Sequence, residues 1–172
     1  MKQRLKDLVQ FIMIFVFVFT IQTFVVGITK VEGVSMVPTL NNGKNNDRVV
    51  VERISNYMHN YRRGEVIIFK PYDNEDDRYI KRIIGLPGDI VKILKGKVYV
   101  NDKELNEDYL DKNTETQPEM KIKVDKDCVF VLGDNRMNSM DSREIGTIPM
   151  KKIKGHAIFR FNILKIEGNR LN

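Results

Sequence analysis

Hydrophobic and polar positions divide this chain into two unlike parts. Residues 8–29 form a run of 22 without an ionisable side chain. As helix, such a run extends roughly 33 Å, enough to cross a hydrocarbon core of about 30 Å. Beyond it the apolar residues come in short runs, β-branched or aromatic-rich and bounded by Gly, Pro, Asn and Asp, at 48–52, 66–69, 79–84, 90–94, 97–100, 128–132 and 157–161. Runs of this kind predict strands. Lys95-Gly96 between two of them is a hairpin signal, and Asn101-Asp102 ends the next strand in the same way. Residues 56–63, 72–77 and 111–126 read as loops, the last containing Pro118 and many charges. The expected fold class is mainly β: an antiparallel β-sheet domain with an N-terminal transmembrane helix.

Charge refines the first part. Lys2, Arg4 and Lys6 precede the apolar run, as they would in a cleavable secretory signal or in a retained anchor. Signal cores are typically about 7 to 15 residues and end at an Ala-x-Ala-like site, and this run is longer and lacks such a site, which favours the anchor. The positive-inside rule then predicts a cytoplasmic tail at 1–7, an anchor at 8–29 and an extracytoplasmic domain at 30–172. About 140 residues beyond the run suffice for a hydrophobic core. Net charge is +6; residues 1–7 hold three basic and one acidic side chain, +2, which leaves +4 on the domain. That excess suits a surface facing anionic lipid, and equally an ordinary solvated surface with acids interspersed. No basic block is interleaved with aromatics, so nucleic acid is not an expected partner. Cys128, the one cysteine, lies in an apolar run and reads as a buried hydrophobe; His59 and His156 are too few and too far apart for a metal motif. Neither metal nor cofactor is expected.

Candidate chemistry begins with a serine. The chain has four, and Ser35 follows the apolar run by six positions in Gly33-Val34-Ser35-Met36-Val37-Pro38-Thr39-Leu40. A hydroxyl is a poor nucleophile until a base takes its proton, and neither histidine sits in a triad signature. Lys81 stands in Tyr79-Ile80-Lys81-Arg82-Ile83-Ile84-Gly85-Leu86-Pro87-Gly88-Asp89, where strand alternation places Tyr79, Lys81 and Ile83 on one face. Burial there would favour the neutral amine; moving its pKa from about 10.4 to near 7 requires roughly 4 to 5 kcal/mol. Two readings remain for this segment alone, a general base or a lysine whose stem crosses the strand while its head reaches water. A third stretch, Gly133-Asp134-Asn135-Arg136-Met137-Asn138-Ser139-Met140-Asp141-Ser142-Arg143, concentrates short polar residues, two arginines and two of the serines. It can build a hydrogen-bonded wall with planar Asp–Arg pairs, or serve only as a turn network.

In this order the anchor and the three stretches resemble the bacterial type I signal peptidases, membrane-anchored serine proteases that use a Ser/Lys dyad. The resemblance covers nearly the whole chain, and the small size and single anchor are similar to the Gram-positive branch. It implies that Ser35 is the nucleophile and Lys81 the general base. It further implies that Ser139 hydrogen-bonds the Lys81 amine, that Asp141 pairs with Arg143, and that Asp134 and Arg82 brace the loop against the Lys81 strand. The Ser35 backbone N–H would hold the oxyanion; Gly33 stands where some members carry a second, hydroxyl donor, and Met137 where an acid is common. Gly33, Val34, Met36 and Ile80 are expected in the substrate groove. The implied partners are preprotein signal peptides, membrane lipid and nearby secretion machinery. Two rival readings are a self-cleaving regulator of the LexA type and a membrane-tethered β binding module. The anchor speaks against the first, and the second gives no reason for three ordered stretches.

Overall fold

The computed structural model describes residues 2–42, 47–72, 77–162 and 167–171. Helix α1 (Lys2–Thr20) passes into a π-helical turn (Ile21–Val25), followed by strands β1 (Val26–Lys30) and β2 (Asp47–Glu52). A short helix α2 (Ile54–Met58) precedes β3 (Val66–Phe69), β4 (Tyr79–Gly85), β5 (Ile90–Leu94), β6 (Lys97–Val100), β7 (Lys103–Glu104), β8 (Met120–Lys123) and β9 (Cys128–Leu132). Helix α3 (Ser142–Ile145), β10 (Ile148–Pro149), β11 (Ile153–Asn162) and β12 (Glu167–Arg170) complete the order.

Among the described residues, Lys2–Val25 is the one helix long and apolar enough to cross a membrane, and no part of its apolar window is buried by the protein. A helix that is apolar all round and unburied calls for an apolar surrounding. The uncharged run is not helical throughout. Its last four residues, Val26 to Thr29, belong to β1, which pairs antiparallel with β2 from Val26↔Glu52 to Lys30↔Arg48. Val26, Ile28 and Thr29 are β-branched and Gly27 weakens helix, so once a partner strand is available the backbone leaves the helix.

The strands form two antiparallel sheets. The larger runs β1-β2-β11-β3-β4-β9-β10, with β12 added on β11; the smaller runs β7-β6-β5-β8. In β3 all four residues are buried, because the strand lies between β11 and β4 and both faces are covered. Val66 and Ile68 pack with Val31, Met36 and Leu40, while Ile67 and Phe69 pack with Ile83, Val129 and Val131. A third cluster, including Ile84, Val91, Val124 and Phe130, joins the two sheets.

Most predicted strands fall where expected, with β2 and β4 one residue longer and β11 extended to ten residues across two register shifts. Lys95 and Gly96 take φ of 50° and 77°, the left-handed pair a tight hairpin requires. Two expected loops contain structure. Within 56–63 lies most of α2, a turn held by Glu52, whose carboxylate accepts from the Ser55 N–H and hydroxyl at 2.9 and 2.7 Å. Five residues are too few to show a helical period. Within 111–126 lies β8, whose pattern rests on Met120 and Ile122 alone, partly buried between exposed lysines. Of the expected loop 72–77, residues 73–76 lie outside the described residues.

The sheets meet at Gly85. A Cβ there would stand 2.6 Å from Val91 Cγ2 and 2.8 Å from Val124 Cγ2. Gly85→Val should therefore destabilise the domain by about 1 to 3 kcal/mol through overpacking, read as a lowered denaturation midpoint. An unchanged midpoint would show that the sheets do not pack this closely.

Candidate active site

Ser35 sits in the turn that links β1 and β2, and Lys81 in the middle of β4. Lys81 Nζ lies 2.7 Å from Ser35 Oγ, although 46 residues separate them. The lysine is 4 % exposed, and among the described residues Ser35 is its one hydrogen-bonding partner. Burial pushes its pKa down to about 8, against the pull of Asp141 and Asp134, whose negative charges act in the opposite direction. The amine also lies 5.3 Å from the centroid of the Tyr79 ring. Tyr79 and Ile83 share a cluster, and Lys81 opposes Ile67 of that same cluster in the β3–β4 register, so the expected face is observed.

The loop after β9 closes over this pair. Gly133 has no Cβ because one would collide with Ser139 and with the Ser35 carbonyl. The Asn135 N–H donates to the Ser35 carbonyl at 3.0 Å and its side chain to the Val34 carbonyl at 3.2 Å. Both aspartates of the loop are buried and each is engaged by an arginine. Arg82 donates to Asp134 through Nε at 2.9 Å and Nη2 at 2.6 Å. Arg143 does the same to Asp141 at 2.8 and 2.9 Å, while Asp141 also accepts from the Gly133 N–H at 2.9 Å. Planar paired contacts of this kind fix orientation as well as charge.

Ser35 and Lys81 open onto a cleft of about 580 Å³, lined by β1 residues Thr29 and Lys30, the turn that follows, Ile68, residues 77–81, Asn138 and Met140. Gly33, Val34, Met36 and Ile80, expected in the groove, all line it. The Ser35 N–H donates to no acceptor among the described residues. Gly33 takes φ of 79°, a conformation suited to glycine, and an added Cβ would meet nothing within 4 Å.

The sequence profile of the family described as signal peptidase, peptidase S26, matches residues 4–162. The chain belongs to this signal peptidase family. A probable signal peptidase I-2 of Synechocystis sp. is 44% identical over 148 residues, which is 82% of this chain and 65% of that protein. A signal peptidase I P of Bacillus subtilis subsp. natto is 36% identical over 165 residues, 90% of this chain and 87% of its own length. A signal peptidase I structure from Enterococcus faecalis aligns with 56% of this chain and 96% of its own at 31% identity, with a TM-score of 0.49.

One expectation carried from the signal peptidase resemblance is not met. Ser139 Oγ is buried and makes no hydrogen bond among the described residues, so the bond to the Lys81 amine is absent. Its side chain packs on Gly133, and the amine points to Ser35 instead. Several residues that shape the site have no signature in the sequence. Buried Asn41 donates to the carbonyls of Val31 and Gly33 at 3.0 and 2.9 Å and so holds the segment before Ser35. Thr39 donates to Asp134 at 2.5 Å, and the Tyr109 ring stacks 3.9 Å from the Arg82 guanidinium. Arg136, fully buried, pairs with Glu107 at 2.5 Å and tethers the loop to the segment that follows β7. Only the density of polar residues after β9 pointed to this network.

Asp134→Ala would leave the Arg82 guanidinium buried without its carboxylate. The expected loss is about 3 to 5 kcal/mol in urea denaturation. A change under about 1 kcal/mol would mean the pair is not a structural requirement.

Proposed function

We propose that Ser35 is the nucleophile and Lys81 the general base of a membrane-bound serine endopeptidase that removes signal peptides from exported preproteins. Family membership supports the reaction class: relatives 36% to 44% identical are signal peptidases I, and this chain is a serine endopeptidase of that kind. The observation that carries the residue assignment is the 2.7 Å approach of a buried amine with depressed pKa to the Ser35 hydroxyl.

The chemistry follows from that geometry. Neutral Lys81 accepts the hydroxyl proton as Ser35 Oγ attacks the scissile carbonyl. The Ser35 N–H stabilises the resulting oxyanion. Lys81 then returns the proton to the departing amine, and an acyl-enzyme remains until water, deprotonated by the same lysine, resolves it. Because β1 is an edge strand of the larger sheet, an extended substrate has an unpaired strand beside the cleft to hydrogen-bond with. Val34, Met36, Ile68 and Ile80 give the cleft apolar walls for short side chains.

The basic residues Lys2, Arg4 and Lys6 support a cytoplasmic N-terminus, with α1 as a single-pass anchor and the β domain outside the cytoplasm. Signal sequences leaving the secretion machinery would then meet the cleft at the membrane surface.

Ser35→Ala and Lys81→Ala should each lower processing of an Ala-x-Ala precursor by at least about a thousandfold while the domain stays folded, read by the mass of the released mature protein. Lys81→Arg should be equally inactive, since guanidinium does not give up its proton in this range. An active Lys81→Ala enzyme would remove lysine from the mechanism. The base works only when neutral, and its folded pKa is lowered to about 8. Below that value the amine is charged and idle. The kcat/KM of the wild type should therefore rise as pH increases through about 8; a flat profile across that interval would contradict the assignment.

A further inference from the structure

A second cleft, of about 330 Å³, adjoins the first and shares Thr29, Ile68 and Arg78 with it. Its chemistry is different. Arg53, Arg78 and Lys154 line it. Three cations along one cleft set up a positive field that favours an anionic ligand.

Position identifies the anion. The cleft is walled by Gly27, Ile28 and Thr29 of β1, which follow directly on the π-helical turn ending the membrane-length helix. Arg53 ties these parts together: its Nη1 donates to the Thr23 carbonyl at 2.5 Å, and a Cβ on Gly27 would stand 2.7 Å from its Nη2. Glycine there leaves room for the guanidinium. Beside the basic cavity, Ile28, Tyr57 and Met58 are 63%, 68% and 70% exposed. Exposed apolar and aromatic side chains beside cations, at the foot of an apolar helix, are the composition of a protein surface in the headgroup layer.

We propose that this cleft binds the phosphodiester headgroup of an anionic phospholipid, phosphatidylglycerol or one of like charge, in the leaflet around the end of α1. The proposal rests on the reading of α1 as a membrane anchor. Arg78 belongs to both clefts, so a bound headgroup also fixes one wall of the substrate groove.

The test is native mass spectrometry of the full chain, released from detergent micelles containing phosphatidylglycerol or phosphatidylcholine. Wild type should retain phosphatidylglycerol in preference to phosphatidylcholine. Each cation near a headgroup is worth about fivefold, so R53Q/R78Q/K154Q should weaken phosphatidylglycerol retention by roughly a hundredfold. R78Q/K154Q, which alters only exposed side chains and spares the Arg53 contact, should weaken it by roughly twenty-five-fold. The charge-matched K95Q/K121Q/K123Q, on the smaller sheet, should leave it unchanged. Undiminished retention in R78Q/K154Q, or an equal loss in the smaller-sheet variant, would overturn the proposal. Displacement of the lipid by millimolar inorganic phosphate would also overturn it, since the site would then be one for a free anion. Ser35→Ala, whose inactivity tests the protease reading, should bind lipid as wild type does. Recovery of wild type in the aqueous fraction of a detergent-free extract would contradict the anchor and this proposal with it.

Discussion

For the proposed base, a lysine amine must be buried beside a serine hydroxyl and not held by a carboxylate, and Lys81 meets both conditions. Two aspartates, Asp134 and Asp141, stand near enough to raise the Lys81 pKa. Each is instead held face to face by an arginine, Arg82 and Arg143 respectively, so much of its charge is spent on another cation. Desolvation then outweighs the aspartates and the amine is depressed rather than elevated. The arginine pairs are thus part of the electrostatics of the Lys81 amine as well as braces for the loop. Gly133 contributes by sterics alone, letting the loop close on the Ser35 carbonyl.

The same demand explains why the pair sits on a sheet. β4 is flanked by β3 and β9, and a strand buried on both faces offers a lysine little water. Ser35 reaches it from a turn whose carbonyls are held by buried Asn41 and whose apolar neighbours Met36 and Leu40 are sunk in the core. Five residues of β1 are all that separate the helical turn at Val25 from the segment leading to Ser35. Helix, edge strand and the turn carrying Ser35 therefore follow one another directly in the chain.

Much of this was legible in the residues. Strands such as 66–69 and 128–132 are fully apolar or nearly so because both faces are covered, and that pattern survives in any context. Lys81 was conspicuous because alternation placed a charge among Tyr79 and Ile83. What escaped was set by tertiary partners. β1 looks like the end of a helix until β2 is there to pair with it, α2 exists through Glu52 capping Ser55, and β8 shows only Met120 and Ile122. Asn41, Thr39 and Arg136 are ordinary polar residues in sequence, and they matter only because the fold sets them against particular carbonyls and carboxylates. The resemblance placed Ser139 on the lysine, whereas its hydroxyl packs on Gly133.

The central claim is that folding delivers a lysine able to be neutral beside Ser35. It is tested most directly by a 13Cε NMR titration of the lysines in the full chain, with the Lys81 signal assigned by its loss in Lys81→Met. The Lys81 resonance should titrate near pH 8, well below the ordinary lysine value of 10.5. A Lys81 signal that titrates at the ordinary 10.5 would contradict the account.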